Sequence, residues 1–203
     1  AVASAEAGFN VVGLDKSSEL VSRLNSGKSH IEDIADNRLM SLISSGRYRS
    51  STDFSDVAGA MVCIICVPTP LAKDGKPDLS FLEKAVVSIA PYLQDTALLI
   101  NESTSYPGTL RDVIKPLVER NRKGGAESIY FASAPERIDP KNEKWDLKLT
   151  PRLVSGLDRE ATDLAKSFYS TICSQVIEVS SPEVAEMAKL LENTFRQVNI
   201  ALV

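Results

Sequence analysis

Residues 61–70, MVCIICVPTP, form an uncharged run rich in valine and isoleucine that stops at a proline turn. That pattern belongs to a strand buried on both faces, as in a parallel sheet covered by helices. Working outward, similar segments recur and alternate with helical ones. FNVVGLD (9–15) reads as a strand, and the helical SSELVSRLNSG (17–27) follows it and stops at Gly27. LSFLEKAVVSIAPYL (79–93) is a helix whose Ser80 and Glu83 have capping-box spacing. ALLINEST (97–104) is a strand, and PGTLRDVIKPLVERN (107–121) a helix entered through a proline turn. SIYFASAPE (128–136) and PRLVSGLD (151–158) are further strands on either side of a charged loop. After the helix REATDLAKSFYSTI (159–172) and the strand QVIEVSS (175–181), the last helix begins at Ser181 with Pro182 in its first position. The alternation predicts an α/β fold, a doubly wound and mostly parallel sheet over residues 1–180. The start of a long helix occupies 181–203.

In such a sheet, ligands bind outside the carboxyl ends of the strands. The informative residues stand at those ends. Asp15 closes the first predicted strand, Pro68-Thr69-Pro70 follow the second, Glu102-Ser103-Thr104 the third, and Pro135-Glu136-Arg137 the fourth. An acidic residue ending a strand of a doubly wound fold suits the adenosine ribose hydroxyls of NAD; a helix-capping role for Asp15 explains the same residue locally. No G-x-G-x-x-G occurs in the sequence, and AVASAEAGFN (1–10) reads as the inside of a helix. The expectation is a fold lacking its first βα unit and, with it, the usual pyrophosphate seat.

Composition narrows the function. The chain is 43% hydrophobic and 25% charged, with a net charge of −4, which gives no electrostatic reason to expect nucleic acid or a membrane surface as partner. No apolar run approaches the ~20 residues of a membrane span, and the N-terminal residues lack a secretory pattern. Cys63, Cys66 and Cys173 suggest a reducing, cytoplasmic setting rather than a disulfide framework. Cys63 and Cys66 lie three apart on a strand, so they face opposite ways and read as core rather than a redox pair. His30, in a polar loop without partner ligands, reads as a surface residue, and no metal is expected. Trp145 packs a loop or marks a contact.

The last helix carries Lys189, Asn193 and Arg196 along one face, amid Met187, Leu190, Leu191, Phe195, Val198 and Ile200. A lysine and an amide one turn apart can present two donors to one oxygen, and a guanidinium a turn further suits an anion. Pairing of Lys189 and Arg196 with Glu186 and Glu192 on a wet face is the alternative.

AGFNVVGLD, ICVPTPL, PDLS, NESTSYPGT, APERIDP and AEMAKLLENTFRQVNIAL together, in this order, resemble the UDP-glucose/GDP-mannose dehydrogenase family. The likeness is greatest to its branch acting on UDP-N-acetylhexosamines. It implies a Rossmann-like NAD domain, a central connecting helix that supports a homodimer, and oxidation of a sugar C6 alcohol to a carboxylate with two NAD. It implies that Asp15, Pro68, Thr69, Ser103 and Thr104 contact NAD and that Thr104 also orients a water. Arg137, Ile138, Lys189, Asn193 and Arg196 would bind the UDP-sugar. Glu136, Lys189 and Asn193 would join Thr104 in catalysis. The family's catalytic cysteine lies in a second domain, beyond Val203, so this chain alone is expected to be inactive. Pro140 stands where members acting on UDP-glucose tend to carry a second glutamate, and Leu20 where a basic residue often approaches the ribose. UDP-glucose or GDP-mannose oxidation, a 3-hydroxyacid or 6-phosphogluconate dehydrogenase, and a non-catalytic assembly module are the other readings.

Overall fold

The computed structural model describes residues 1–137 and 147–203; Ile138, Pro140 and Trp145 fall outside them. A short helix α1 (Val2–Glu6) leads into β1 (Val11–Leu14), α2 (Ser18–Asn25), α3 (Asp36–Ser44) and β2 (Tyr48–Ser51). Then come β3 (Val62–Ile65), α4 (Ser80–Ile89), β4 (Leu98–Asn101), α5 (Lys115–Asn121), β5 (Tyr130–Ser133), β6 (Arg152–Gly156), α6 (Arg159–Ser170), β7 (Val176–Glu178) and α7 (Pro182–Leu202).

The strands form two sheets. β1 and β2 pair in parallel, and a five-stranded sheet runs in the order β3-β4-β5-β6-β7. Every ladder is parallel except β5–β6, where Ala132 faces Gly156 in antiparallel register. Among the described residues β1 pairs only with β2, and β3 only with β4, so each keeps one open edge. The two sheets nevertheless share a core: Leu14 packs against the cluster that holds Ile65, Leu82, Leu99 and Phe131. On the other face Leu98, Ile100, Ala132 and Val154 meet Phe168 and Tyr169 of α6. β4 is buried along its whole length, so the side chains of Leu98 to Asn101 alternate between these two layers.

Local chemistry accounts for most element ends. Ser17 caps α2 by accepting the Leu20 amide, and Gly27 takes the left-handed backbone (φ +78°) that ends it. Met40 lies directly over Gly27, where a side chain would collide with its sulfur. Asp158 caps α6 and Ser181 caps α7, with Pro182 at the first position. The expected Ser80–Glu83 capping box does not form. The Asp78 carboxylate accepts the Ser80 amide instead (2.9 Å), and Leu79 stands at the cap position. The helix expected over 107–121 opens with a π-helical turn, Thr109–Ile114, before α5. Pro116 has no amide to give Asp112, so the ladder widens just ahead of it.

α7 is fully buried only in its first turns. Of its 21 residues, Pro182, Ala185 and Glu186 are buried, while Met187, Leu191, Phe195 and Val198 lie exposed along an apolar stripe. No helix among the described residues is long and apolar enough to cross a membrane.

Candidate active site

The parallel ladder β3-β4-β5 brings three predicted strand ends to one edge. Backbone bonds lock them together: the Glu102 amide donates to the Ile65 carbonyl (3.0 Å), and the Ala134 amide to Asn101 (3.0 Å). Ser103 is buried and its hydroxyl serves this joint, accepting the Val67 amide at 2.9 Å. Thr69 and Thr104 are half-buried beside it and Pro68 is exposed. Asp15 follows β1, half-buried, its amide bonded to Ser51 of β2 and its Oδ1 accepting the Ser17 amide at 2.8 Å. That turn holds the carboxylate at the strand end, which fits a ribose diol.

Beyond β5 the charges gather. Glu136 and Arg137 are half-buried, and the Glu136 amide reaches the Glu102 carbonyl (3.4 Å). Arg137 pairs with Glu192 of α7 through both guanidinium edge atoms, with Nε donating to Oε2 at 2.7 Å and Nη2 to Oε1. Lys189 lies among these groups. Burial depresses its pKa, opposed by the negative charges of Glu136 and Glu192 and reinforced by Arg196 and Arg137. Asn193 is half-buried one turn on. Arg137, Glu192 and Arg196 line an open cavity of about 610 Å³ with Phe195 and Asn199. Glu186 turns inward and so is not part of a wet-face pairing, while Glu192 holds Arg137 and also acts on Lys189 by charge.

Two buried networks support this edge, and sequence reasoning missed both. Glu102 accepts from the Tyr169 hydroxyl and from the Cys66 thiol (3.2 Å) and lies 3.6 Å from Arg152. Arg152, 4% exposed, also donates to the Ala134 carbonyl (3.1 Å) and lies over the Tyr169 ring. Burial, then the Glu102 charge, drives the Tyr169 hydroxyl well above its ordinary pKa. The second network joins Glu186 to the backbone amides of Gly108 (2.7 Å) and Leu110 (3.0 Å).

Two of the cysteines touch the first of these networks, Cys66 at Glu102 and Cys173 at Arg152. All three are free. Cys63 is buried, and burial pushes its thiol up to about 12. Cys66 departs from the core expectation: it sits one residue past β3, exposed, with its thiol on Glu102. His30 is exposed.

Residues 1–173 match the NAD-binding domain of the UDP-glucose/GDP-mannose dehydrogenase family. The chain belongs to that family. The match fits the fold, a mostly parallel α/β sheet whose strand carboxyl ends gather at one edge, where ligands of such sheets bind. Among the family's curated proteins, the UDP-N-acetyl-D-mannosamine dehydrogenase of Pyrococcus horikoshii is 40% identical over 205 residues, covering 100% of this chain and 48% of that protein. The enzyme of the same name from Methanocaldococcus jannaschii is 38% identical over 96% of this chain and 44% of its own length. The chain spans about half the length of the curated relatives it matches. Among solved structures, UDP-D-ManNAc dehydrogenase from Pyrococcus horikoshii superposes with a TM-score of 0.90 at 38% identity, covering 100% of this chain and 48% of that one. A ternary complex of GDP-mannose dehydrogenase from Pseudomonas aeruginosa gives 0.91 at 28% identity, over 100% and 48% respectively. As a member of the family, this chain supplies an NAD-binding Rossmann-type domain.

Proposed function

We propose that this chain is the N-terminal part of an enzyme that oxidises the C6 alcohol of a UDP-N-acetylhexosamine to the uronate, consuming two NAD. The observation that carries the reading is the half-buried Lys189, set among Glu136, Arg137 and Glu192 at the carboxyl edge of a family NAD domain. The names of the similar proteins support the sugar class.

Bound NAD supplies the hydride acceptor, and Asp15, Pro68, Thr69, Ser103 and Thr104 are the residues of this chain assigned to hold it. Ser103 acts from beneath, by fixing the turn with its hydroxyl, while the half-buried Thr69 and Thr104 are assigned the direct contacts. Alcohol oxidation also needs a proton acceptor, and oxygen that gains negative charge needs donors. Glu136 is assigned the proton, with Thr104 orienting a water. Lys189 and Asn193 donate to the reacting oxygen, and the depressed basicity of Lys189 brings its proton closer to transfer at neutral pH. Arg137, Ile138 and Arg196 take the sugar nucleotide, the two arginines bringing positive charge to its anionic part. The carboxylate-forming step needs a covalent nucleophile, which the family likeness places in a following domain. The apolar stripe of α7, with Phe195 at 71% exposure, is assigned to a homodimer contact, and the enzyme to the cytoplasm.

The test is NADH release by the full-length protein with UDP-N-acetylmannosamine, UDP-N-acetylglucosamine, UDP-glucose and GDP-mannose in parallel. Two NADH per N-acetylhexosamine, with NAD affinity about tenfold weaker in Asp15→Ala, supports the reading. Turnover confined to UDP-glucose or GDP-mannose moves the substrate assignment, and no turnover with any of the four removes it.

A further inference from the structure

Resting on that reading, we propose that Glu186 is a positioning residue, a carboxylate latch that fixes the angle of α7 and thereby places Lys189 and Asn193 over the strand ends. Its side chain is almost fully buried, at 1% exposure, yet it pairs with no cation among the described residues. Each carboxylate oxygen instead takes one backbone amide, Oε2 from Gly108 and Oε1 from Leu110. Those amides open the helical run that begins with the π turn at Thr109 and continues through α5. The first-turn amides of a helix have no partners within it, and they favour negative charge. The latch is therefore a helix cap supplied by a different helix, 76 residues later in the chain.

The placement gives the cap its leverage. Glu186, Lys189 and Asn193 lie at i, i+3 and i+7 and share one face of α7. Only Pro182, Ala185 and Glu186 of the helix are buried, so the docked first turns set the direction of everything beyond. Asn193 is ~10 Å further along the axis at 1.5 Å per residue, so a tilt of about 10° at the latch moves it by ~2 Å. Displacements near 1 Å at a reacting centre cost on the order of a hundredfold in rate. The pair between Arg137 and Glu192 is a second tether, more exposed and attached to the segment that carries Arg137 itself. It holds the helix close to the sheet edge, while the latch sets the pivot. The other charges near the carboxylate are Glu183 on its own helix and Asp112 and Arg111 on the π turn; Arg111 bonds Glu183 and acts on Glu186 by charge alone.

The test is steady-state kinetics of the full-length enzyme with Glu186→Gln, and with Glu183→Gln as control. The amide keeps the shape but turns an NH₂ toward one of the two backbone amides, breaking that half of the latch. Turnover is expected to fall about 10- to 100-fold with KM for NAD within about twofold, while Glu183→Gln, which removes the pair to Arg111 and weakens the bond to Ser181 at the exposed start of α7 without touching the two latch amides, stays within about twofold of the parent. If Glu186→Gln does not fold, Glu186→Asp, which shortens the reach, is measured against the same expectation. Normal turnover in a folded Glu186 variant, or loss explained by a smaller folded fraction, overturns the proposal while wild-type activity leaves the dehydrogenase reading intact. A wild-type enzyme without activity overturns both.

Discussion

Replacing Arg152 with methionine should destabilise the protein by about 3–5 kcal/mol, the usual cost of stranding one partner of a buried ion pair. The structure puts this substitution at the upper end of mutational effects for three reasons. Arg152 is 4% exposed, and its charge lies 3.6 Å from Glu102. Its Nη1 is the donor to the Ala134 carbonyl at the end of β5, which methionine leaves without a partner. Its guanidinium also covers the Tyr169 ring, a contact worth about 0.5–1 kcal/mol or more when desolvated. Methionine retains most of the stem, so the loss reports on charge rather than on a cavity. The assay is urea denaturation followed by circular dichroism on the parent, Arg152→Met, Glu102→Gln and the double variant. With position 102 neutral there is no stranded charge, so the double variant should be more stable than the sum of the single losses by about 1–3 kcal/mol. In Glu102→Gln the side-chain amide oxygen still offers the Tyr169 hydroxyl and the Cys66 thiol an acceptor. Strict additivity, or a loss under about 1 kcal/mol for Arg152→Met, would show that the pair is solvated and would refute the reasoning.

Two further outcomes follow from the packing and the buried latch. Gly156→Ala should lower the melting temperature, with a loss of about 1–3 kcal/mol, because a Cβ there would meet the Ala161 Cβ at 2.5 Å and the Thr162 backbone nitrogen at 2.6 Å. Burial drives the Glu186 carboxyl up to about 7 against the pull of its two backbone amides. The folded state therefore holds more protons than the unfolded chain between about pH 4.5 and 7, and stability falls as pH rises through that window. Glu186→Gln has no such group, so denaturation at pH 5 and pH 8 should show the variant gaining on the parent by on the order of 2 kcal/mol at the higher pH.

Elements with local punctuation were legible in the sequence. Ser17 and Gly27 bracket α2, and Ser181-Pro182 opens α7 where the cap residues predict. The stretch from Lys28 to Ala60 was not, and it contains α3, β2 and a 3-10 turn. β2 is YRSS, with only four residues, and its burial comes from Tyr48 and Ser50 packing inward beside β1. Neither hydrophobic run length nor composition signals such a strand. The π turn ahead of Pro116 reflects a missing amide, which a helical periodicity does not reveal.

At the site, the residues ending each strand could be named because a parallel fold fixes where they gather. What they bind to inside the protein could not. Glu186 reads as an ordinary surface carboxylate on an amphipathic helix, and its partners are backbone amides, which no sequence pattern displays. The small residues Ala185 and Ala188 on either side were the available sign of a close approach at that turn. Glu102 stands in a motif read for the cofactor, yet its carboxylate faces Arg152 and Tyr169, which come from segments about 50 and 67 positions away.

The central claim is that Lys189 takes part in the chemistry rather than in helix solvation. The most direct measurement is turnover and NAD affinity of full-length Lys189→Ala beside the parent. Turnover should drop by about a hundredfold or more, with the dissociation constant for NAD unchanged within about threefold. Turnover within about threefold of the parent would contradict the account and return Lys189 to the surface of the helix.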